Sequence, residues 1–189
     1  MEKSLSENYL HSSLRQFNYY KSLADKAIAQ VTDDHLYWRY NEDSNSIVTI
    51  IKHMHGNMMS RWTDFLNSDG EKEWRNRDDE FWEEPLCRQD LLKIWEEGWT
   101  CLFDALDELS SEDLRKIIYI RNEGHTVMEA INRQMCHYSY HIGQIIYIAK
   151  MIAEEPWKSL SIPRGESNIF NAKKFDLDKS IRHFTEDTK

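Results

Sequence analysis

Apolar residues recur at steps of three and four along four long stretches of this sequence, the spacing of amphipathic helices. The predicted helices span roughly residues 5–30, 46–67, 89–109 and 126–154. Only six Gly and three Pro occur in 189 residues, which favours long helices over a many-turned β fold. Four helices joined by short to medium connections predict an all-α protein, a four-helix bundle.

The connections carry less regular patterns. Residues 117–120, Ile-Ile-Tyr-Ile, precede Asn122-Glu123-Gly124 and predict a short extended piece or hairpin before the last long helix. The acidic run 78–80 is interpreted as solvated loop charge, and the stretch 161–170 as coil. The length predicts a single domain over residues 1–189, with a bundle core at about 5–155 and a C-terminal extension at 156–189.

Charge and composition exclude several classes of protein. The formal net charge is −9, and no basic stripe is present, which argues against nucleic acid and against an anionic membrane surface as partners. A small anionic substrate is still compatible, because a site can be locally positive. Three cysteines without a C-x-x-C pattern favour a reducing compartment. With no apolar N-terminal region and no long apolar run, we expect a cytoplasmic protein.

Two histidines lie four residues apart in the strongest helical segment. His137 and His141 therefore share one helix face, together with Gln134 and Gln144. This polar patch interrupts a face that is otherwise apolar, and burying unpartnered polar groups costs free energy. Metal coordination would account for the patch, and so would a hydrogen-bonded histidine pair or a solvated groove.

The second helix offers a third imidazole. His53 borders the apolar stripe of that helix, whereas His55 lies nearly opposite, so at most one of them faces the bundle interior. Three imidazoles with an open fourth position form the usual arrangement of a catalytic zinc site. Imidazoles also suit Ni, Cu and Fe, so these ligands do not select the metal.

Further side chains follow from helical spacing. Gln144 lies three residues after His141, and Asn57 four after His53, so either could orient an imidazole or a bound water. Arg61 could hold a substrate carboxylate. The alternative for Arg61 is a salt bridge to a loop carboxylate such as Asp78 or Asp79.

These residues together resemble a known superfamily. His53, a tryptophan nine residues later at Trp62, and H-x-x-x-H-x-G-Q beginning at His137 are similar to the DinB/YfiT-like proteins. The string KHMHGNMMSRWTDFLNSDGEKEWRNRDDEF resembles one bacterial branch of that superfamily whose activity is not assigned. The resemblance implies a four-helix bundle in which His53, His137 and His141 bind one divalent metal ion, Zn or Ni first and Mn or Fe as further options.

The resemblance also implies classes of function. Some members transfer low-molecular-weight thiols such as bacillithiol or mycothiol, and others are hydrolase-like or isomerase-like. We therefore expect a small-molecule substrate and a metal-dependent thiol transferase. A metal-dependent hydrolase that activates water is the first alternative. A non-enzymatic metal-binding homodimer is the second, since seven Trp leave room for an aromatic interface.

Overall fold

The computed structural model describes residues 4–82 and 85–187. Within these ranges the protein is a helical bundle with a small two-stranded antiparallel sheet, which confirms the predicted all-α class and the predicted hairpin. The helices are α1 (Leu5–Ile28), α2 (Ile47–Trp62), α3 (Arg88–Asp107), α4 (Val127–Ile152) and α5 (Ser167–Phe175), and the strands are β1 (Ile117–Ile120) and β2 (Glu123–Thr126). Short 3-10 turns occupy Asp34–Tyr37, Asp78–Phe81, Asp113–Arg115 and Phe184–Asp187.

Local side-chain bonds set where the long helices begin. Ser4 starts α1 and Thr126 starts α4, each in a capping box with the glutamate three residues later. Ser46 caps α2 through the backbone amide of Thr49. Each of these bonds satisfies an amide that has no partner within its own helix.

The long helices pack in two pairs, α2 against α3 and α1 against α4, around one apolar core. Helices α2 and α4 meet along a seam, where they run in opposite directions. Asn57 contacts Tyr138, and His53, one turn earlier on α2, contacts His137 and His141. The seam therefore places polar residues of both helices opposite one another inside the bundle.

Helix α2 ends at Trp62, five residues before the predicted end at about residue 67. Thr63 is extended, and Asp64 adopts a left-handed conformation with φ 48°. The Asn67 side chain donates to Asp64 Oδ1, and the Ser68 backbone amide and hydroxyl donate to the Asp64 carbonyl. Side chains of this kind compete with helical hydrogen bonds, and here they close a turn instead.

The segment after α2 is bonded to the hairpin. Asp69 accepts hydrogen bonds from the backbone amides of Arg121 and Asn122, the two left-handed residues of the β1–β2 turn. The Gly70 amide donates to the Tyr119 carbonyl. These bonds hold one end of the loop that returns to the α2–α4 seam.

The coil predicted for residues 161–170 is wrong in part, because α5 begins at Ser167. None of the residues of α5 is buried. Its apolar side chains lie on the surface, so a helical pattern there gave no core-facing stripe to recognise. Among the described residues, no helix is both long and apolar enough to span a bilayer.

Candidate metal centre

Three imidazoles converge at the α2–α4 seam. His53 Nε2 lies 3.3 Å from His137 Nε2, which in turn lies 3.0 Å from His141 Nε2. One nitrogen from each ring lies within 4.8 Å of the other two. His53 is buried, at 7% exposure, and the other two rings are half-buried. The structure thus brings together the three histidines that the sequence singled out, in a group that could hold a metal ion.

The outer nitrogen of each ring faces an oxygen that can only accept a hydrogen bond. His53 Nδ1 lies 2.9 Å from Glu80 Oε2, and His141 Nδ1 lies 2.8 Å from Gln144 Oε1. His137 Nδ1 lies 3.4 Å from the amide oxygen of Gln134. A neutral imidazole has one N–H, and these acceptors favour the tautomer that carries the proton on Nδ1. In that tautomer the three Nε2 atoms are unprotonated.

The same arrangement disfavours added protons. Burial, followed by the neighbouring His141 and His53, lowers the pKa of His137 to about 3. Burial also lowers the pKa of His141, against an opposing hydrogen bond with Gln144. With the proton on Nδ1 in each ring, three Nε2 lone pairs are available within one small volume. Such a set of donors fits a divalent cation, and neutral imidazole is the form that binds one.

Glu80 is the member of the site that sequence reasoning missed. The interpretation of the acidic run 78–80 as solvated charge is wrong for Glu80, because its side chain is buried against His53. Arg75 donates to both carboxylate oxygens, from Nε to Oε1 at 2.8 Å and from an Nη to Oε2 at 3.0 Å. Asp78 and Asp79 are exposed as expected.

The ionised state of Glu80 is favoured by its partners. Burial works to raise the pKa of this carboxyl, but the hydrogen bonds from His53 and Arg75 outweigh burial, so the pKa is lowered. An ionised carboxylate on the outer nitrogen of a ligand histidine orients the ring and increases its basicity. Glu80 lies 27 residues after His53 and outside α2, so helical spacing could not relate the two residues.

Gly56 makes room for this carboxylate. A Cβ atom at position 56 would lie 2.1 Å from Glu80 Oε1, closer than any normal contact. Glycine inside a helix costs about 1 kcal/mol relative to alanine, so this position carries a local cost. The close approach of Glu80 to α2 is what requires the missing side chain.

His55 does not join the cluster. Its Nε2 lies 3.8 Å from a Glu97 carboxylate oxygen on α3, away from the α2–α4 seam. Burial lowers the pKa of His55, and Glu97 partly opposes that effect. Of the two candidate imidazoles on α2, the one that faces His137 and His141 is therefore His53.

Gln144 and Asn57 have different surroundings. Gln144 Oε1 lies 2.8 Å from His141 Nδ1. The structure places Asn57 one turn deeper, where its amide oxygen accepts a hydrogen bond of 3.0 Å from the Tyr138 hydroxyl. Tyr138 also accepts from Trp62 Nε1 at 3.1 Å. Asn57 thus belongs to a buried polar chain below the histidines.

Arg61 lies between a backbone carbonyl and a carboxylate of the loop that follows α2. Its side chain is 6% exposed and donates to the Gly70 carbonyl and to Glu71, at 3.2 Å. The salt-bridge alternative is therefore observed, although the partner is Glu71 instead of Asp78 or Asp79. Burial lowers the pKa of Arg61, and Glu71 opposes the shift. Arg61 fastens the loop after α2 to the helix.

Comparison with known proteins places the chain in a family. The sequence model of DUF1572, described as a protein family of unknown function, matches residues 4–166. No curated protein and no solved structure matches the chain. The match includes all three histidines and Glu80 and extends over most of the sequence. The chain belongs to the DUF1572 family, which is a DinB-like family.

Proposed function

We propose that this protein is a metal-dependent enzyme that transfers a small thiol to an electrophile, with His53, His137 and His141 as the metal ligands. The observation that carries the proposal is the convergence of the three Nε2 atoms, with an acceptor oxygen next to the Nδ1 atom of each ring. Three protein nitrogens leave a coordination position for a substrate, the arrangement of catalytic sites, whereas structural sites are closed by four protein ligands.

A divalent ion held by three imidazoles acts as a Lewis acid, lowering the pKa of a thiol that binds beside it. In the overall reaction the thiol loses its proton to solvent, its sulfur forms a bond to an electrophilic carbon, and the leaving group departs with the electron pair of the broken bond. This chemistry needs no nucleophile from the protein.

The protein's own groups supply orientation. Glu80 accepts a hydrogen bond from His53 Nδ1–H and is itself held by Arg75, so it is not available as a general base. Gln134 and Gln144 hold the other two rings. Preorganised ligands of this kind keep the open position of the site aimed in one direction.

The surroundings restrict water on one side. The Phe81 ring centroid lies 5.5 Å from that of His53, and the Tyr140 ring centroid lies 5.1 Å from that of His141. Both rings are partly exposed, Phe81 at 38% and Tyr140 at 63%. Two partly exposed aromatic rings thus flank the cluster, and the buried Tyr138 ring packs against His137 on the interior side.

The first experiment is elemental analysis of the purified, untagged protein beside three variants. We expect roughly one divalent ion per chain in the wild type, as for a three-histidine site. His53→Ala and His141→Ala should lose the ion. The matched control is His55→Ala, which removes an imidazole on the same helix that faces Glu97, and it should keep the ion.

Turnover assays then separate the classes of reaction. The metal-loaded protein is supplied with 1-chloro-2,4-dinitrobenzene and a small thiol, and separately with p-nitrophenyl acetate alone. Turnover that requires both thiol and metal supports thiol transfer, whereas turnover of the ester with metal alone would replace it with hydrolysis. Absence of a stoichiometric ion after reconstitution with Zn, Ni, Mn and Fe(II) would overturn the metalloenzyme proposal.

A further inference from the structure

A groove continues the α2–α4 seam one turn beyond the histidines. It includes Ile50, one turn before His53 on α2, and Gln144, one turn after His141 on α4. Because the two helices run in opposite directions, both steps lead the same way along the seam. The groove therefore begins where the histidine cluster ends.

Two residues belong to both features. Gln144 lines the groove, and its amide oxygen holds the Nδ1 atom of His141 at 2.8 Å. Tyr140 lines the groove, and its ring packs 5.1 Å from the same imidazole. A molecule lying in the groove would therefore lie next to the residues that contact the His141 ring.

The lining is aromatic and apolar. Tyr40, Tyr140 and Tyr147 are 78%, 63% and 70% exposed, which is unusual for side chains with so much apolar area. The walls come from α4 and from the segment that leads into α2. Ile50, Ile148 and Met151 add apolar side chains to the lining.

The charge of the groove narrows the class of ligand. Among the described residues that line it, Asp43 alone is charged. A carboxylate or phosphate on the ligand would therefore find no cationic partner in the groove and would meet one negative charge. The polar groups that remain are hydroxyls and amides, which serve an uncharged ligand.

The size and the floor of the groove fit a flat ring. Its volume is 670 Å³, and small-molecule sites occupy roughly 300–1,000 Å³. At Gly143, which lies between Tyr140 and Tyr147 on α4, a Cβ atom would have no neighbour within 4 Å, so the floor of the groove is open there. Aromatic side chains around an open floor favour stacking of a planar group.

We propose that this groove binds an uncharged aromatic group of the substrate. The inference rests on the proposed function in one respect, since it assigns the aromatic group to the electrophile that accepts the thiol. Binding in the groove would position that electrophile next to the histidines, while its reacting carbon extends past His141. The thiol then needs no contact with the groove.

The test measures binding of two probes of matched size, 2-naphthol and 2-naphthoate, to the full-length protein by calorimetry. We expect 2-naphthol to bind at least about tenfold more tightly than 2-naphthoate, a difference of about 1.4 kcal/mol. The comparison is repeated on His53→Ala, which lacks one of the three proposed metal ligands. In that variant, coordination of the naphthoate carboxylate to an ion at the complete cluster cannot add to the measured affinity. Equal binding of the two probes in both proteins would overturn the proposal.

A groove-filling variant locates the binding. Gly143→Trp places a large side chain in the open floor and should weaken 2-naphthol binding by at least about tenfold. The matched control is Met128→Trp, a partly exposed position at the other end of α4, and it should bind as the wild type does. Wild-type affinity in Gly143→Trp would contradict the assignment.

Two further readouts separate the outcomes. Sedimentation of the same samples reports the oligomeric state, and a change of mass in Gly143→Trp without a change in probe affinity would assign the groove to an interface between copies of the chain. Elemental analysis reports the metal. If the protein binds the probe but no metal, the groove proposal is supported and the metalloenzyme proposal is overturned. If it binds metal but not the probe, the metalloenzyme proposal is supported and the groove proposal is overturned.

Discussion

Glu80 Oε2 lies 2.9 Å from His53 Nδ1, although the two residues are 27 positions apart in the chain. The contact converts a loop acid into part of the histidine site. Because Arg75 holds both oxygens, the carboxylate has one orientation. We expect this pair to set the affinity of the site for a metal.

Glu80→Gln should weaken metal binding by about 10–100-fold, the usual effect of losing a carboxylate behind a ligand histidine. The amide retains the size of the side chain but removes the charge that favours the Nδ1–H form of His53. Competition with a chromogenic chelator measures the affinity. Asp78→Asn, at an exposed acid of the same turn, is the control and should bind metal as the wild type does. Equal affinities in all three proteins would show that Glu80 is not coupled to the site.

Gly56→Ala should weaken metal binding through the same carboxylate. The added Cβ would lie 2.1 Å from Glu80 Oε1, so Glu80 must move away from His53. Since both changes act on one contact, the double variant Gly56→Ala/Glu80→Gln should bind metal no more weakly than Glu80→Gln alone. Additive losses would mean that Gly56 acts by another route. Gly143→Ala, at a helical glycine with open space around it, should retain wild-type metal affinity.

Tyr138→Phe should lower the free energy of unfolding by about 1–3 kcal/mol, because it leaves Trp62 Nε1 and Asn57 Oδ1 buried without this partner. Urea denaturation measures the loss. The metal content should not change, since within the described part of the chain Trp62 Nε1 and Asn57 Oδ1 both bond to the Tyr138 hydroxyl and to no histidine nitrogen. Tyr147→Phe removes an exposed hydroxyl and should leave the stability unchanged. A loss of metal in Tyr138→Phe would instead place the hydroxyl in the metal site.

The stability of the metal-free protein should fall as the pH is lowered below about 6.5, the unfolded-state pKa of histidine. The folded-state pKa of His137 is about 3, so between these values the unfolded chain binds a proton that the folded protein does not. Unfolding is then favoured with decreasing pH, by at most about 1.4 kcal/mol per pH unit for one group.

The check is urea denaturation of chelator-treated protein at pH 7.0, 6.0 and 5.0. His137→Gln removes this titration and should show a flatter dependence over the same range. Identical slopes for the wild type and the variant would contradict the depressed pKa of His137. The pKa of Glu80 is lowered in the folded protein, so its stabilising contribution is lost at lower pH, as the pH falls through that folded-state pKa.

Much of the scaffold could be predicted because helices are local structures. The four-residue step from His137 to His141 places both rings on one face of α4 whatever the helix packs against. The apolar period along α2 placed His53 beside the core face and His55 away from it. The end of α2 could be predicted less well, since it depends on the turn that Asp64 and Asn67 form.

Nonlocal contacts decided the rest. Helical spacing places Asn57 one turn after His53, but because α2 packs against α4, Asn57 accepts its hydrogen bond from Tyr138. Similarly, Arg61 has Glu71 as its partner because the loop after α2 folds back over the helix. Spacing along one helix specifies a direction, and only the opposite element determines what lies there.

The sequence by itself determined the four long helices, the hairpin and the shared face of His137 and His141, because each depends on neighbours within about one or two turns. Only the tertiary structure decided that His53 meets that pair, that Glu80 stands behind His53, and that a groove continues the seam past Gln144. Those relationships join segments far apart in the chain, and their geometry follows from how α2 and α4 pack and how the intervening loop returns to them.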